Sequence, residues 1–312
     1  MINYLFIFSF FIVSSTTIKA QHANDQTESP SIEGRWDLKL YGKEEILPSW
    51  LEVTHSGNNM LVGQYVAIVG SARPISKVHY NNKKISFSIP PQWETGEKDL
   101  SFEATLEGDS LIGNVSYPDG ETYRCTGVRA PLFKKRNVTW GTPLRLFNGK
   151  DLSGWHAVGY NQWKAVNGIL KSSKSGANLI TNGKFTDFKL HVEFRYPKGS
   201  NSGLYLRGRY EVQIADSKGL EPSKVDFGAI YGFIVPNEMV AKAPGEWQSY
   251  DITLVGRLIT IVANGKTIVC NQQIPGITGG ALDSDEGKAG PLMIQGDHGP
   301  VEYRNIILTP AK

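Results

Sequence analysis

The chemistry-bearing residues of this chain concentrate in one run, Asn201-Ser-Gly-Leu-Tyr-Leu-Arg-Gly-Arg-Tyr-Glu-Val-Gln-Ile-Ala-Asp216. Leu204 and Leu206 alternate with Tyr205 and Arg207, and Val212 and Ile214 alternate with Glu211 and Gln213. A single strand, or a hairpin with the three-residue tip Gly208-Arg209-Tyr210, puts Tyr205, Arg207, Glu211 and Gln213 on one face above an apolar one. A two-residue tip would set Glu211 and Gln213 among the leucines, so the hydrophobic face selects the first arrangement. This mixture suits a sugar: hydroxyls need donors and acceptors, and the C–H face of a ring packs on an aromatic plane. The same residues also make an Arg207–Glu211 cross-strand pair on a solvated face, which requires no ligand.

Short strands must position this run. Glycine (33), proline (16) and aromatic residues (11%) are plentiful, which favours strands and tight turns over long helices. Seven or eight alternating segments separated by Ser56-Gly57, Asn81-Asn82, Glu107-Gly108-Asp109 and Asp119-Gly120 predict an all-β accessory domain over 32–130. Its spacing fits a lipocalin-like small β-barrel or a sandwich. The basic, non-alternating stretch 131–141 reads as a linker. From 142 to 312 strand follows strand, and Asn264-Gly265 between two apolar runs is a hairpin signal because both positions favour positive φ. A jelly-roll β-sandwich follows. Trp36, Trp155, Trp163 and Trp247 read as core anchors.

Tyr4 to Val13 is apolar and uncharged, and small polar residues lead from it to Ala20. That run is too short to span a bilayer but suits a signal peptide over 1–20, followed by a polar linker over 21–31. With no cysteine near the cleavage point, the expectation is export to the periplasm or beyond, with no stable membrane span and no lipid anchor. A net charge of +3 without a Lys/Arg stripe speaks against nucleic acid as a partner. Cys125 and Cys270 fall in different halves of the chain and read as small apolar strand residues, with a bridge between them left open.

Residues 143–310 resemble the 3-keto-disaccharide hydrolase domain family, a concanavalin-like jelly roll. The matching segments include Leu146-Phe-Asn-Gly-Lys-Asp-Leu-Ser-Gly-Trp155, Asn201-Ser-Gly-Leu-Tyr-Leu-Arg207, Tyr210-Glu-Val-Gln-Ile214, Gly228-Ala-Ile-Tyr-Gly232 and Ile294-Gln-Gly-Asp-His-Gly299. The resemblance implies cleavage of glycosidic bonds in sugars carrying a ketone at C3. Such a ketone acidifies the C2 proton, so a base can drive elimination of the C1 substituent, and water can then add. The protein must supply a base, an acid for the leaving oxygen, and a donor or cation for the enolate. Within the matched segments Arg207 is the candidate for enolate stabilisation, and Glu211 and His298 for acid and base. Asn201 and Gln213 are candidates for hydroxyl recognition, and Tyr205, Tyr231, Gln295 and Asp297 for the rest of the substrate site. His298 also has a purely structural reading as a turn histidine.

Three alternatives stand beside this. Glu211 and Asp216 could act as the carboxylate pair of an ordinary glycosidase, although five strand residues span roughly 16 Å and a retaining pair needs about 5 Å. Glu211, Asp216, Asp297 and His298 could bind a hard divalent cation, though no local spacing enforces it. A non-catalytic carbohydrate-binding protein of the same fold is the third.

Overall fold

A computed structural model describes residues 31–134 and 136–312. The leader expected over 1–20 and almost all of the linker over 21–31 lie outside the described residues. Among those described, every regular element is a strand, and no helix is long and apolar enough to cross a membrane.

The first eight strands are β1 (Gly34–Tyr41), β2 (Ile46–Ser56), β3 (Met60–Val66), β4 (Arg73–Asn81), β5 (Lys84–Ile89), β6 (Leu100–Glu107), β7 (Ser110–Ser116) and β8 (Thr122–Arg129). Each pairs with the next, and β8 pairs back to β1, so the accessory domain is a closed up-and-down barrel. Alternation explains the closure. In β6 Leu100, Phe102, Ala104 and Leu106 point inward while Glu103 and Glu107 face water. Trp36, Tyr65, Phe87 and Phe102 fill the interior, with Phe87 and Phe102 stacked 4.9 Å apart.

The second half is a two-sheet sandwich. One sheet places Trp155–Ala157, Leu179–Thr181, Met293–Ile294, Asn201–Leu206 and Tyr210–Ala215 side by side. The other is built around Val301–Pro310, Phe188–Arg195, Gln248–Val255 and Leu258–Ala263. The Asn264-Gly265 turn has positive φ at both residues (50° and 82°). Most long strands of the second sheet alternate between buried and partly exposed positions, as in Phe188–Arg195. The hairpin of the first sheet does not: Ser202–Leu206 and Tyr210–Ile214 are buried on both faces. One face meets the sandwich core. The other is roofed by loops and by one end of the barrel.

That roof exists because the barrel and sandwich form one compact unit from Ile32 to Lys312. Trp50, Val66 and Ala72 of the barrel belong to the sandwich's hydrophobic cluster, and Trp50 packs edge-on against Phe233 at 5.4 Å. Gly279 lies so close to the barrel that a Cβ there would sit 2.1 Å from Gly70 O, so only glycine permits this approach. The start of the expected linker packs onto the sandwich: Arg257 donates to Pro131 O at 3.0 Å, and Phe133 lies under the guanidiniums of Arg207 and Arg257. Cys125 is buried, Cys270 is exposed, and both are free thiols.

Candidate active site

The hairpin sets the site. Tyr205 pairs with Glu211, Gly203 with Gln213 and Asn201 with Ala215, leaving Arg207-Gly208-Arg209 as the tip. The tip starts one residue earlier than expected, and the pairing moves by two residues. A shift of two preserves which face each side chain takes. Tyr205, Glu211 and Gln213 therefore do share a face, together with Asn201, and they line a cavity of about 480 Å³. Gly203 sits among them, and a Cβ there would fall 2.3 Å from the Glu211 carboxyl, so the bare strand position makes room for that group.

The loop after Met293–Ile294 brings Gln295, Asp297 and His298 to the same cavity, and Tyr231 closes another side. Backbone bonds fasten these pieces to the hairpin: Gln295 N–H donates to Gly203 O at 2.9 Å, and Tyr231 N–H to Glu211 O at 3.1 Å. The hydroxyl of Ser175 donates to the Asp297 carbonyl, and Gly296 N–H donates to Asn178 Oδ1 at 2.9 Å, holding the histidine turn.

Glu211 is buried, and burial first of all pushes its carboxyl up to about 8; nearby Asp297 adds to the rise, and Tyr205 and His298 oppose it. It is thus largely protonated at neutral pH. The Tyr205 hydroxyl lies 2.9 Å from both Glu211 Oε2 and Gly279 O and has one proton for two acceptors, an arrangement that a proton on Glu211 completes. His298 Nδ1 lies 2.6 Å from Asp297 Oδ1; this hydrogen bond raises the imidazole above its ordinary value, against partial burial. The bond leaves Nε2 free to exchange a proton. The side-chain oxygens of Asn201 and Gln295 are buried without a hydrogen-bond partner, which is what hydroxyl-recognising groups look like before a ligand meets them.

Arg207 requires a correction. It adopts a left-handed φ of 54° at the tip, so its side chain leaves the strand alternation and turns away from the cavity. It is 1% exposed, and donates to Tyr210 Oη (2.8 Å), Gly256 O (2.9 Å) and Glu286 O (3.4 Å). The Arg207–Glu211 pair does not form. Asp216, the second carboxylate of the glycosidase alternative, accepts from Gly199 N–H at 2.9 Å and does not line the cavity. Among the described residues no cluster of three or more His, Cys, Asp or Glu side chains is disposed to hold a metal.

Sequence reasoning missed the barrel's share of the lining: Val69, Gly70 and Trp93 belong to the cavity wall. The one available signal was Trp93 itself, an aromatic inside the polar turn Pro90-Pro-Gln-Trp-Glu-Thr-Gly96.

Fold and site together define a carbohydrate-active β-sandwich protein. Residues 142–309, more than half the chain, match the 3-keto-alpha-glucoside-1,2-lyase-like domain family, and the chain belongs to that family. A 3-keto-disaccharide hydrolase from Bacteroides thetaiotaomicron is 32% identical over 95 aligned positions, covering 25% of this chain and 32% of that protein. The chain thus spans about a third of the length of this relative. A candidate glycosyl hydrolase from Parabacteroides distasonis superposes with a TM-score of 0.46 at 28% identity, over 57% of this chain and 94% of that one. A carbohydrate-binding module from Bacillus subtilis does so with a TM-score of 0.35 at 11% identity, over 49% of this chain and 93% of that one.

Proposed function

We propose that the protein is an exported enzyme that cleaves the glycosidic bond of 3-keto-glycosides or 3-keto-disaccharides by elimination and hydration. The observation that supports this most directly is the pairing, in one cavity, of a carboxyl still protonated near neutral pH with an aspartate-oriented imidazole. The two groups suit opposite proton transfers.

His298 Nε2, in its neutral form, takes the C2 proton. The C–H electrons form the C2–C3 double bond and place negative charge on the C3 oxygen. Collapse of this enolate restores the ketone, forms the C1–C2 double bond and breaks the C1–O bond. Glu211 gives its proton to the departing oxygen. In the hydration step Glu211 takes a proton from water as the oxygen adds to C1, and His298 returns a proton to C2. The amides of Asn201, Gln213 and Gln295 supply hydroxyl contacts. Tyr205 holds Glu211 in place.

Export rests on the apolar leader over 1–20, and the working location proposed is the periplasm or the cell exterior. The barrel braces the catalytic half and completes its cavity.

The test is to incubate purified protein with a 3-keto-glycoside and with the same glycoside unoxidised, and to follow aglycone release. Release from the keto sugar alone is the expected result. Release from both would identify a conventional glycosidase, and release from neither a binding protein. Running the assay with and without a chelator tests for a divalent cation.

A further inference from the structure

Trp93 stands apart from the other six tryptophans. Trp36, Trp50, Trp155 and Trp163 are buried and Trp140 and Trp247 half-buried, whereas Trp93 is 69% exposed. A single exposed apolar side chain is ordinary in itself; what sets this indole apart is that it lines the cavity of Glu211 and His298.

Its loop, between β5 and β6, is firmly pinned. Arg73 and Glu94 form an ion pair at 2.7 Å with side chains only 9% and 6% exposed. Arg73 also donates to Pro90 O at 2.8 Å. Glu94 Oε2 accepts from the backbone N–H groups of Gln92 (2.7 Å) and Trp93 (3.1 Å). Gln92 clasps Ser71 twice, accepting from its N–H at 3.1 Å and donating to its hydroxyl at 2.9 Å. The loop rests on Gly70, where a Cβ would lie 2.9 Å from Trp93 Cδ1, and Gly70 in turn touches Gly279 at the cavity edge. Trp93 lines the same cavity as Tyr231 and Glu211, and the Tyr231 N–H donates to the Glu211 carbonyl at 3.1 Å. A solvent-facing aromatic on a firmly pinned loop, beside a cavity that presents carboxyl, imidazole and amide groups, is a pre-organised stacking surface.

We infer that Trp93 is a substrate-binding residue supplied by the barrel, and that it stacks on the pyranose ring attached to the leaving oxygen. The leaving-group side follows from position: the indole shares the cavity wall with Tyr231, whose backbone is bonded to that of Glu211, the group that protonates that oxygen. The inference rests on the reading of this cavity as the site of glycosidic cleavage. It adds the specificity that disaccharides are preferred over glycosides with small aglycones.

The experiment compares wild type, Trp93→Phe and Trp93→Ala on a 3-keto-glucosyl disaccharide and on methyl 3-keto-glucoside, with thermal melts alongside. For Trp93→Ala, kcat/KM should fall about tenfold more on the disaccharide than on the methyl glycoside, chiefly through KM, at unchanged melting temperature. Trp93→Phe should recover most of the loss. Equal losses on the two substrates, or none, would overturn the inference. Wild type inactive on both would sink the catalytic reading instead. The stacking is then decided by calorimetric titration of Glu211→Gln with the disaccharide: binding lost on adding Trp93→Ala upholds it, and binding unchanged or absent from the start rejects it.

Discussion

One hairpin feeds two polar clusters with opposite fates. Its strands send Tyr205, Glu211 and Gln213 into a cavity, where they meet Asp297 and His298 beside open volume. Its tip sends Arg207 and Arg209 into the seam between barrel and sandwich. There Arg209 meets Asp283 at 2.6 Å, and Arg257 meets Glu286 at 3.3 Å with both side chains at most 2% exposed. Tyr210 donates to Glu286 Oε1 at 2.7 Å, and from the barrel Lys39 pairs with Asp285 at 2.8 Å. All three guanidiniums donate to protein oxygens, and the Nε atoms of Arg207 and Arg257 stay buried without a partner. Charge and burial alone therefore do not mark a catalytic group; adjoining space does. The seam uses its charges to fix one docking geometry and seals its unpartnered atoms away, whereas the unengaged oxygens of Asn201 and Gln295 border open volume.

The comparison breaks most easily at Glu211. Glu211→Gln removes the proposed acid, and kcat should fall by about 10²–10⁴. The melting temperature should hold or rise, because a costly buried carboxyl is replaced by an amide. A large loss of stability with little loss of turnover would place Glu211 with the seam.

Arg207→Ala should do the reverse. Loss of its buried hydrogen bonds should cost about 2 kcal/mol in denaturant unfolding. Turnover per folded molecule should change by less than about threefold, since the side chain is remote from the cavity. A hundredfold drop in kcat at native stability would restore Arg207 to the catalytic machinery.

Asp297→Asn sharpens the cavity side. The wild-type rate should require neutral His298 and protonated Glu211, giving a bell whose acid limb follows the raised imidazole and whose alkaline limb lies near 8. Removing the Asp297 charge lowers the imidazole's pKa, so the acid limb should move to lower pH while kcat falls about tenfold through lost orientation. An acid limb that stays in place would show that His298 is not the titrating base.

The seam has a test of its own at Asp37. Burial, and next to it the charge of Glu286, hold the Asp37 carboxyl far above the usual carboxylate range. The folded chain therefore keeps a proton that the unfolded chain loses above about pH 4. Its contribution is fully present below that pH and declines as pH rises through neutrality. Asp37→Asn should flatten that decline in melts taken from pH 5 to 8, and an unchanged slope would rule it out.

Much of this was legible in the residues. Period-two alternation announced the strands, Asn264-Gly265 announced its hairpin, and parity put Tyr205, Glu211 and Gln213 together whichever three-residue tip formed. Arg207 defeated that logic because a left-handed residue at a turn has left the pleat, and nothing in Leu-Arg-Gly-Arg states where the left-handed positions begin. Trp93 was out of reach for a different reason. Its place depends on Gly70 meeting Gly279, a contact between loops distant in sequence, and no local pattern encodes such an approach.

By itself, then, the sequence determined the strands, their inward and outward faces and the polar, aromatic composition of the 201–216 run, because side-chain direction in a strand is a local property. Which charges would face open volume and which would be sealed in a seam was decided only when the barrel docked on the sandwich. Burial, and with it the proton on Glu211, depends on neighbours that only the tertiary fold brings near.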